Sequence, residues 1–185
     1  MEPDLEAKKP MLPVRITIYH AAQDDPKKNT ALRLKRRGLA RIVTRVRFLP
    51  KRAIVLNPFG EIAFSPADRE RIKQFGLAAL DCSWEHAQKV MEKHVRGTSR
   101  CLPILIAGNP VNFGKFTKLT TAEALAAALY IAGFKEESEQ LLSIFTWGHT
   151  FFELNEVLMN NYEAAKDSSE IIEMQNSLLK GKKSE

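Results

Sequence analysis

Four chemically distinct side chains, DCSW at residues 81–84, come directly after a short apolar stretch. That stretch, residues 77–82, predicts a buried strand, and a helical pattern over residues 85–95 follows it. Ligands of open α/β sheets bind at the carboxyl ends of the strands, where Asp81 is expected. A carboxylate there can pair with a cationic group of a ligand, but a cap on the next helix, made by Asp81 or Ser83, explains the same pattern. The residues alone leave both interpretations open.

A second stretch of the same design is RCLPILIAGNPVNFGKFTKL, residues 100–119. Its apolar part, residues 102–107, predicts a strand buried on both faces of a parallel sheet. Residues 108–114 are rich in Gly, Asn and Pro, which bend the backbone and leave main-chain groups without a sheet partner. Thr120 and Glu123 have the spacing of a capping box, which starts a helix beside that loop. Strand, loop and helix together predict a site that binds a ligand through its main chain.

Positive charge is concentrated in the first part of the chain. Residues 1–107 carry 21 basic and 11 acidic groups, whereas residues 108–185 carry 7 and 11. Between Lys27 and Arg52 there are 11 basic residues and no acidic one. A solvated basic face is the simpler interpretation, but such a density without carboxylates favours a polyanion. Nucleic acid is therefore the predicted partner.

Several function classes lack their motifs in this chain. There is no G-x-x-x-x-G-K phosphate loop and no G-x-G-x-x-G fingerprint, which argues against nucleotide hydrolysis and hydride transfer. Cys82 and Cys101 lack C-x-x-C spacing, and the four histidines are scattered, so we expect no metal site. No secretory signal is recognised, and the longest apolar run, residues 124–134, is too short to cross a bilayer. We expect a soluble cytoplasmic protein.

Strands and short helices alternate in the first half, which predicts a mostly parallel, five-stranded α/β sheet. We expect a disordered tail over residues 1–13, an N-terminal α/β domain over residues 14–107 with the basic surface, and a helical C-terminal domain over residues 108–181. The predicted strands cover residues 14–19, 41–46, 53–57, 77–82 and 102–107. The predicted helices cover residues 31–37 with Thr30 as cap, 67–75, 85–95, 121–132, 135–145, 150–162 and 168–179.

Four motifs in a fixed order resemble one known family: DCSW, R-x-L-P-x-L, NPVNFG with KL, and FTWGHTFFELN. On these motifs the chain is identified as a member of the small-subunit rRNA aminocarboxypropyltransferases, ribosome-biogenesis enzymes related to the knotted SPOUT methyltransferases. The resemblance covers roughly residues 14–162. It implies a SPOUT-like trefoil knot and S-adenosylmethionine as co-substrate. It also implies transfer of the 3-amino-3-carboxypropyl group to N3 of a pseudouridine, often methylated at N1, in small-subunit rRNA.

The resemblance implies which residues bind S-adenosylmethionine. Thr30 takes the hydroxyl position of the first loop, near the ribose or the amino acid end. Asp81 pairs with the α-amino group through a charge-assisted hydrogen bond. Main-chain groups of Leu80 and Leu102 meet the ribose and adenine. The same mapping adds two residues around the adenine, Thr117 and Thr121.

Trp84 and Ala87 are three residues apart, so they share a face if the helix is formed from its first turn. The resemblance implies that this face buries the sulfonium methyl and leaves the first carbon of the aminocarboxypropyl chain open to attack. Asp81 and Trp84 are therefore the predicted catalytic residues. The rate is expected to come from in-line alignment, with weak base help from Asp81.

The expected partner is small-subunit rRNA or a pre-ribosomal subunit, with no membrane. We expect a monomer, because the helical second half can cover the surface through which knotted methyltransferases dimerise. Two other functions fit parts of the sequence: a SPOUT-type RNA methyltransferase, disfavoured by the bulky Trp84, and a non-catalytic RNA-binding assembly factor, which needs neither DCSW nor NPVNFG. The predicted RNA-binding residues are Lys28, Arg33, Arg36, Arg37, Arg41 and Arg100.

Overall fold

The computed structural model describes residues 12–22, 27, 29–91 and 95–181, so most of the predicted tail and Lys28 lie outside it. Among these residues, five parallel strands form one sheet in the order β2-β1-β4-β3-β5. The predicted parallel five-stranded sheet is confirmed. The strands are β1 Ile16–His20, β2 Arg41–Val43, β3 Ile54–Leu56, β4 Leu77–Asp81 and β5 Thr98–Arg100.

Seven α-helices connect and cover the strands within the described residues. The three in the first half alternate with strands, and the four in the second half follow one another, as the sequence predicts. None of the described helices is long and apolar enough to span a bilayer. The helices are α1 Thr30–Arg36, α2 Arg69–Phe75, α3 Trp84–Met91, α4 Thr121–Ile131, α5 Lys135–Leu142, α6 Gly148–Glu163 and α7 Ser168–Gly181.

The predicted fifth strand, residues 102–107, is wrong, and β5 lies just before it. The main chain here is bonded partly by the following loop, through an isolated antiparallel bridge between Ile106 and Phe116, and partly by side chains of α6 and α7. Asn155 donates to the Ile106 carbonyl and accepts from the Ile106 amide, both at 2.7 Å. The Tyr162 hydroxyl donates to the Ile104 carbonyl at 3.1 Å, and Gln175 accepts from the Ile104 amide at 2.8 Å. The predicted burial on both faces holds only in part, because Leu105 and Ala107 are buried whereas Leu102, Ile104 and Ile106 are half-buried.

The predicted cap of the first helix is also wrong. Helix α1 includes Thr30, and Asn29 is its cap, accepting from the Leu32 amide at 2.9 Å. Asparagine is among the strongest N-cap residues, so the helix begins one residue earlier than predicted. The Thr30 hydroxyl instead accepts from the Ala122 amide at 3.4 Å and thereby connects α1 to the start of α4.

Helix α4 lies at the centre of the molecule, in contact with β4, α1, α5 and α6. Leu125, Ala126 and Ala127 are fully buried, and the many alanines let neighbouring elements approach closely. The Ser138 hydroxyl of α5 donates to the Ala126 carbonyl at 2.6 Å, which joins the two helices inside the core. A single hydrophobic cluster extends from the strands through α4 to α7. The second half of the chain is therefore packed against the sheet on which the carboxyl-edge residues lie.

Tyr162 offers a test of this packing through pH. Its side chain is fully buried, and burial raises the pKa of its hydroxyl to about 12 from 10.0. An unfolded tyrosine loses its proton near pH 10. Because the folded pKa is the higher one, the stabilisation is present below pH 10 and is lost as pH rises through 12.

We expect Tyr162→Phe to be about 1 kcal/mol less stable than wild type at pH 8, since it lacks one hydrogen bond. This deficit should shrink or reverse at pH 11, because only the wild type retains the tyrosine that ionises on unfolding. Urea unfolding of both proteins at the two pH values measures the difference. An equal deficit at both pH values would contradict the burial of a neutral hydroxyl.

Candidate active site

The carboxylate of Asp81 is the centre of a hydrogen-bond network at the carboxyl edge, the edge of the sheet where the strands' carboxyl ends meet. Asp81 is the last residue of β4. Its Oδ2 lies 2.6 Å from His20 Nδ1 and accepts from Asn29 Nδ2 at 2.8 Å. Its Oδ1 accepts from the Thr121 hydroxyl at 2.7 Å. The carboxylate therefore joins β1, β4, the start of α1 and the start of α4.

Among the described residues, one acceptor position of Asp81 has no partner. An ionised carboxylate has about four lone-pair positions. His20 and Asn29 occupy two on Oδ2, and Thr121 occupies one on Oδ1. The remaining position is on Oδ1, beside Thr121. A cationic group can therefore join Asp81 without displacing a protein partner.

A cavity of about 290 Å³ opens next to this network, a size at the lower end for small-molecule sites. Thr121 and the two neighbours of Asp81, Leu80 and Cys82, line it. The predicted cofactor residues Leu80, Ala87, Leu102, Thr117 and Thr121 all contribute to its wall. Thr30 and Asp81 are outside the lining but are bonded to α4 at its edge.

Two residues that line this cavity have main-chain groups without a protein partner in the described part of the chain. Among the described residues, neither the amide nor the carbonyl of Leu102 or Leu119 forms a hydrogen bond, and both residues line the cavity. The adjacent Pro103 has no amide hydrogen. Backbone amides and carbonyls can form hydrogen bonds with the edge of a purine base, and apolar side chains can pack against its face. The donor set of the cavity therefore fits the adenosine of S-adenosylmethionine.

Glu123 holds the loop that follows residue 107 against α4. Its side chain is fully buried, and Oε1 accepts from the amides of Gly108 and Asn109 at 2.8 and 2.9 Å. Its Oε2 accepts from Asn109 Nδ2 at 2.8 Å and from the Thr120 amide and hydroxyl at 2.7 and 3.0 Å. The predicted capping box of Thr120 and Glu123 is confirmed, and Glu123 additionally bonds the loop.

Two backbone features shape this loop. A Cβ on Gly108 would lie 2.6 Å from the Phe151 amide nitrogen, so the close approach of α6 requires glycine here. Thr117 has φ of 60°, a conformation that β-branched residues rarely adopt, and its amide donates to the Leu105 carbonyl at 2.9 Å. Strained residues of this kind concentrate at ligand sites. Thr117 lines the cavity, which agrees with that tendency.

Helix α3 forms another side of the site. Trp84 is its first residue, and Ala87 is buried and lines the cavity. His86 Nε2 lies 3.0 Å from the hydroxyl of Tyr19, and the two rings are stacked. Burial, and to a lesser degree the nearby Cys82, raises the pKa of Tyr19. The tyrosine therefore stays neutral, and its hydrogen bond with His86 connects α3 to β1.

The predicted RNA-binding arginines do not all lie together. Arg36, Arg37 and Arg41 are exposed where α1 ends and the edge strand β2 begins. Arg33 donates to the Ile144 carbonyl at 3.0 Å and is already in contact with the helical half. Arg100 lies on β5, the opposite edge of the sheet, where it is paired with Asp68 at 3.0 Å.

Burial raises the pKa of the Cys101 thiol, which therefore stays protonated at neutral pH. Within the described residues no group of three or more His, Cys, Asp or Glu side chains could hold a metal ion.

An apolar cavity at the carboxyl edge of a parallel sheet, with one carboxylate beside it, defines a small-molecule-binding α/β protein. A sequence model described as "Ribosome biogenesis protein, C-terminal" matches residues 54–179. The 16S rRNA aminocarboxypropyltransferase of Methanosarcina acetivorans is 49% identical over 169 residues, 90% of this chain and 95% of that protein. The enzyme of the same name from Methanocaldococcus jannaschii is 42% identical over 166 residues, 90% of this chain and 96% of that protein.

A solved structure agrees with these relatives. The SAM-dependent rRNA:acp-transferase Tsr3 from Vulcanisaeta distributa superimposes with a TM-score of 0.80 at 42% identity, covering 88% of this chain and 89% of that one. The chain belongs to the family of 16S rRNA aminocarboxypropyltransferases. The membership predicted from the DCSW and NPVNFG motifs is confirmed.

Some residues of the site were not predicted from sequence. His20 and Asn29 are bonded to Asp81, although neither was predicted from sequence to have a role in the site. Glu123 is predicted only as part of a capping box, yet it also bonds the loop that follows residue 107. His20 is the last residue of β1 as Asp81 is the last residue of β4, and the two residues are partners in the register of these neighbouring strands. The position of both residues at strand ends is the only sequence signal for their contact. A single sequence does not reveal that these two strands are neighbours in the sheet.

Proposed function

We propose that this protein is an S-adenosylmethionine-dependent 16S rRNA aminocarboxypropyltransferase. The observation that carries the proposal is the open acceptor position on Asp81 Oδ1, next to a cavity whose wall includes Thr121. An ammonium group seated there gives a charge-assisted hydrogen bond to the carboxylate. The methionine end of the co-substrate would then lie at the network and its adenosine in the cavity.

The roles of the remaining site residues follow from this orientation. The main-chain groups of Leu102 bind the adenine edge, and Thr117 and Leu80 enclose the adenosine. The hydroxyl of Thr30, at the junction of α1 and α4, lies on the side of the ribose or the amino acid end. S-adenosylmethionine supplies a sulfonium with three carbon substituents, and the protein decides which of these carbons meets the RNA.

The choice of transferred group rests on α3. Trp84 and Ala87 are proposed to enclose the methyl, so that only the first carbon of the aminocarboxypropyl chain is open to the nucleophile. An enzyme favours the reaction whose atoms it holds in line, because a misplacement of about 1 Å can reduce the rate on the order of a hundredfold. Trp84 and Asp81 are in this sense the residues that direct the reaction.

The by-product identifies the reaction. Incubation with S-adenosylmethionine and unmodified small-subunit rRNA should release 5′-methylthioadenosine, which chromatography separates from S-adenosylhomocysteine. S-adenosylhomocysteine as product would assign the chain to RNA methyltransferases. Absence of both products, together with no co-substrate binding in equilibrium dialysis, would leave a non-catalytic assembly factor.

We infer that rRNA binds across the basic part of the chain, with Arg36, Arg37 and Arg41 contacting phosphates. Their exposure and the absence of acidic residues between positions 27 and 52 support this. Lys28 belongs to the same basic stretch. Arg33, whose guanidinium bonds a neutral carbonyl, adds positive potential from α1. Arg100 on β5 belongs to the same proposed surface, but its charge is compensated by Asp68.

Reversal of two of these charges should weaken RNA binding without affecting the co-substrate. We expect Arg37→Glu with Arg41→Glu to lower affinity for rRNA fragments and to reduce the slope of log K against log salt by about 0.7–0.9 for each lost phosphate contact. Filter binding at several salt concentrations measures the slope. Lys166→Glu, in the helical half, is the control and should leave it unchanged. An unaltered slope in the double variant would contradict the assignment of this surface.

Finer features of the proposal follow the family. The target is N3 of a pseudouridine, which can carry a methyl at N1, in a pre-ribosomal subunit of the cytoplasm. The chain is proposed to form a SPOUT-like trefoil knot and to act as a monomer. Residues 14–107 form the basic α/β part, and residues 108–181 complete the cofactor site. Thr117, Thr121 and Ala124 of the second part line the cavity, which supports its role in the cofactor site.

A further inference from the structure

His20 and Asp81 form a closely spaced dyad at the carboxyl edge. The two residues are paired across the parallel ladder of β1 and β4, and His20 Nδ1 lies 2.6 Å from Asp81 Oδ2. Only 10% of each side chain is exposed. A short hydrogen bond between mostly buried partners holds the imidazole in one orientation.

The dyad fixes the tautomer of His20. Asp81 Oδ2 already accepts from Asn29, so the carboxylate acts as acceptor and Nδ1 of His20 carries the hydrogen. In the neutral imidazole, Nε2 is then the basic nitrogen. Within the described residues Nε2 has no partner, and no buried side-chain nitrogen or oxygen there lacks one. Nε2 is therefore a basic lone pair in contact with solvent.

Other candidate bases around the cavity are already engaged. Both oxygens of Glu123 accept hydrogen bonds from the loop and from Thr120. His86 Nε2 lies at the hydroxyl of Tyr19. Asp81 has a single position left, and the proposed function assigns it to the ammonium of the co-substrate. His20 is thus the neighbouring base whose lone pair is free among the residues that the structure describes.

We propose that His20 is the general base of the transfer, an assignment that rests on the proposed function. As the imide N3 of the target base bonds to the first carbon of the aminocarboxypropyl chain, the carbon–sulfur bond breaks and its electron pair stays on sulfur. The product is the neutral thioether 5′-methylthioadenosine. The imide proton moves to His20 Nε2 and from there to solvent.

Asp81 then serves two groups at once. Its Oδ2 orients His20 and stabilises the imidazolium that forms, which is the role of the third member in base-assisted nucleophilic sites. Its Oδ1 binds the ammonium of the group to be transferred. The same carboxylate thereby fixes the distance between the base and the electrophilic carbon, which is the alignment that the reaction needs.

The variant His20→Asn separates this role from a structural one. The asparagine amide can still donate to Asp81, but it offers no basic lone pair at the position of Nε2. We expect kcat for transfer of carboxyl-labelled substrate into rRNA to fall on the order of 100-fold, with the Kd for S-adenosylmethionine unchanged. His149→Asn, an exposed histidine of α6, is the matched control and should retain full activity.

A variant that removes the whole imidazole side chain gives the second measurement. In His20→Gly, added imidazole should restore part of the lost kcat, because it can occupy the vacated space and accept the proton. Three results would overturn the role of His20. The first is wild-type kcat in His20→Asn, and the second is a loss of co-substrate affinity in that variant as large as its loss of kcat. The third is a His20→Gly enzyme that binds co-substrate but whose kcat does not rise when imidazole is added. A wild type that transfers no label would overturn the proposed function, and this role with it.

Discussion

Asp81→Asn is expected to lose S-adenosylmethionine affinity by about 10- to 150-fold while the protein stays folded. The asparagine carbonyl can accept from His20 and Asn29 in place of Oδ2, and its amide can donate to the Thr121 hydroxyl in place of Oδ1. The network within the protein therefore survives. The lost interaction is the charged hydrogen bond to the ammonium, which contributes about 1.5–3 kcal/mol.

A ligand without the amino group is the control for Asp81. 5′-Methylthioadenosine lacks the ammonium and carboxylate, so its affinity should be the same for wild type and Asp81→Asn. Calorimetry with both ligands measures the difference. Equal losses for both would mean that Asp81 acts through the shape of the cavity or as a structural cap, and that the ammonium binds elsewhere.

Glu123→Gln is expected to destabilise the protein by about 3 kcal/mol, although the two side chains have nearly the same shape. Every group facing Glu123 is a donor: three amides, the Asn109 side-chain NH₂ and the Thr120 hydroxyl. Whichever way the glutamine amide is turned, its own NH₂ faces N–H groups. Buried donors left without an acceptor are costly, by about 1–3 kcal/mol each.

The loss should be visible in binding as well as in stability. Residues 108–120 form part of the cavity wall through Thr117, so release of the loop should also weaken S-adenosylmethionine binding. Glu153→Gln, the same change at an exposed position of α6, is the control and should be neutral. Urea unfolding of the two variants makes the comparison. A Glu123→Gln protein as stable as wild type would contradict the proposed role of this carboxylate.

The sequence predicted those parts of the fold whose signals are local. Four of the five strands and all seven helices carry their pattern within a few residues, and the capping box of Thr120 and Glu123 is visible from spacing alone. The predicted strand over residues 102–107 is wrong because an extended apolar segment gives the same sequence pattern whether its backbone is bonded by a neighbouring strand or by a loop and side chains. Asn155 and Tyr162, about 50 residues downstream, could not be connected with them by any local rule.

In the candidate site, too, local features could be predicted and contacts between distant residues could not. The resemblance to the family implied Leu80, Leu102 and Thr121 as cofactor-binding residues, and all three line the cavity. The partners of Asp81 depend on strand order, since β1 and β4 are neighbours although about 60 residues separate His20 from Asp81. The arginines were grouped by charge density, which says nothing about the edge of the sheet on which each lies. In the structure, Arg41 and Arg100 lie on opposite edges of the sheet, which charge density could not reveal.

The identity of the group that enters RNA tests the central claim most directly. Unmodified small-subunit rRNA is incubated with the protein and with S-adenosylmethionine labelled in either the carboxyl group or the methyl group. Because α3 is proposed to enclose the methyl and to leave the other chain open, carboxyl label should enter the RNA and methyl label should not. Methyl label in the RNA, or label from neither substrate, would contradict the assignment of this protein as an aminocarboxypropyltransferase.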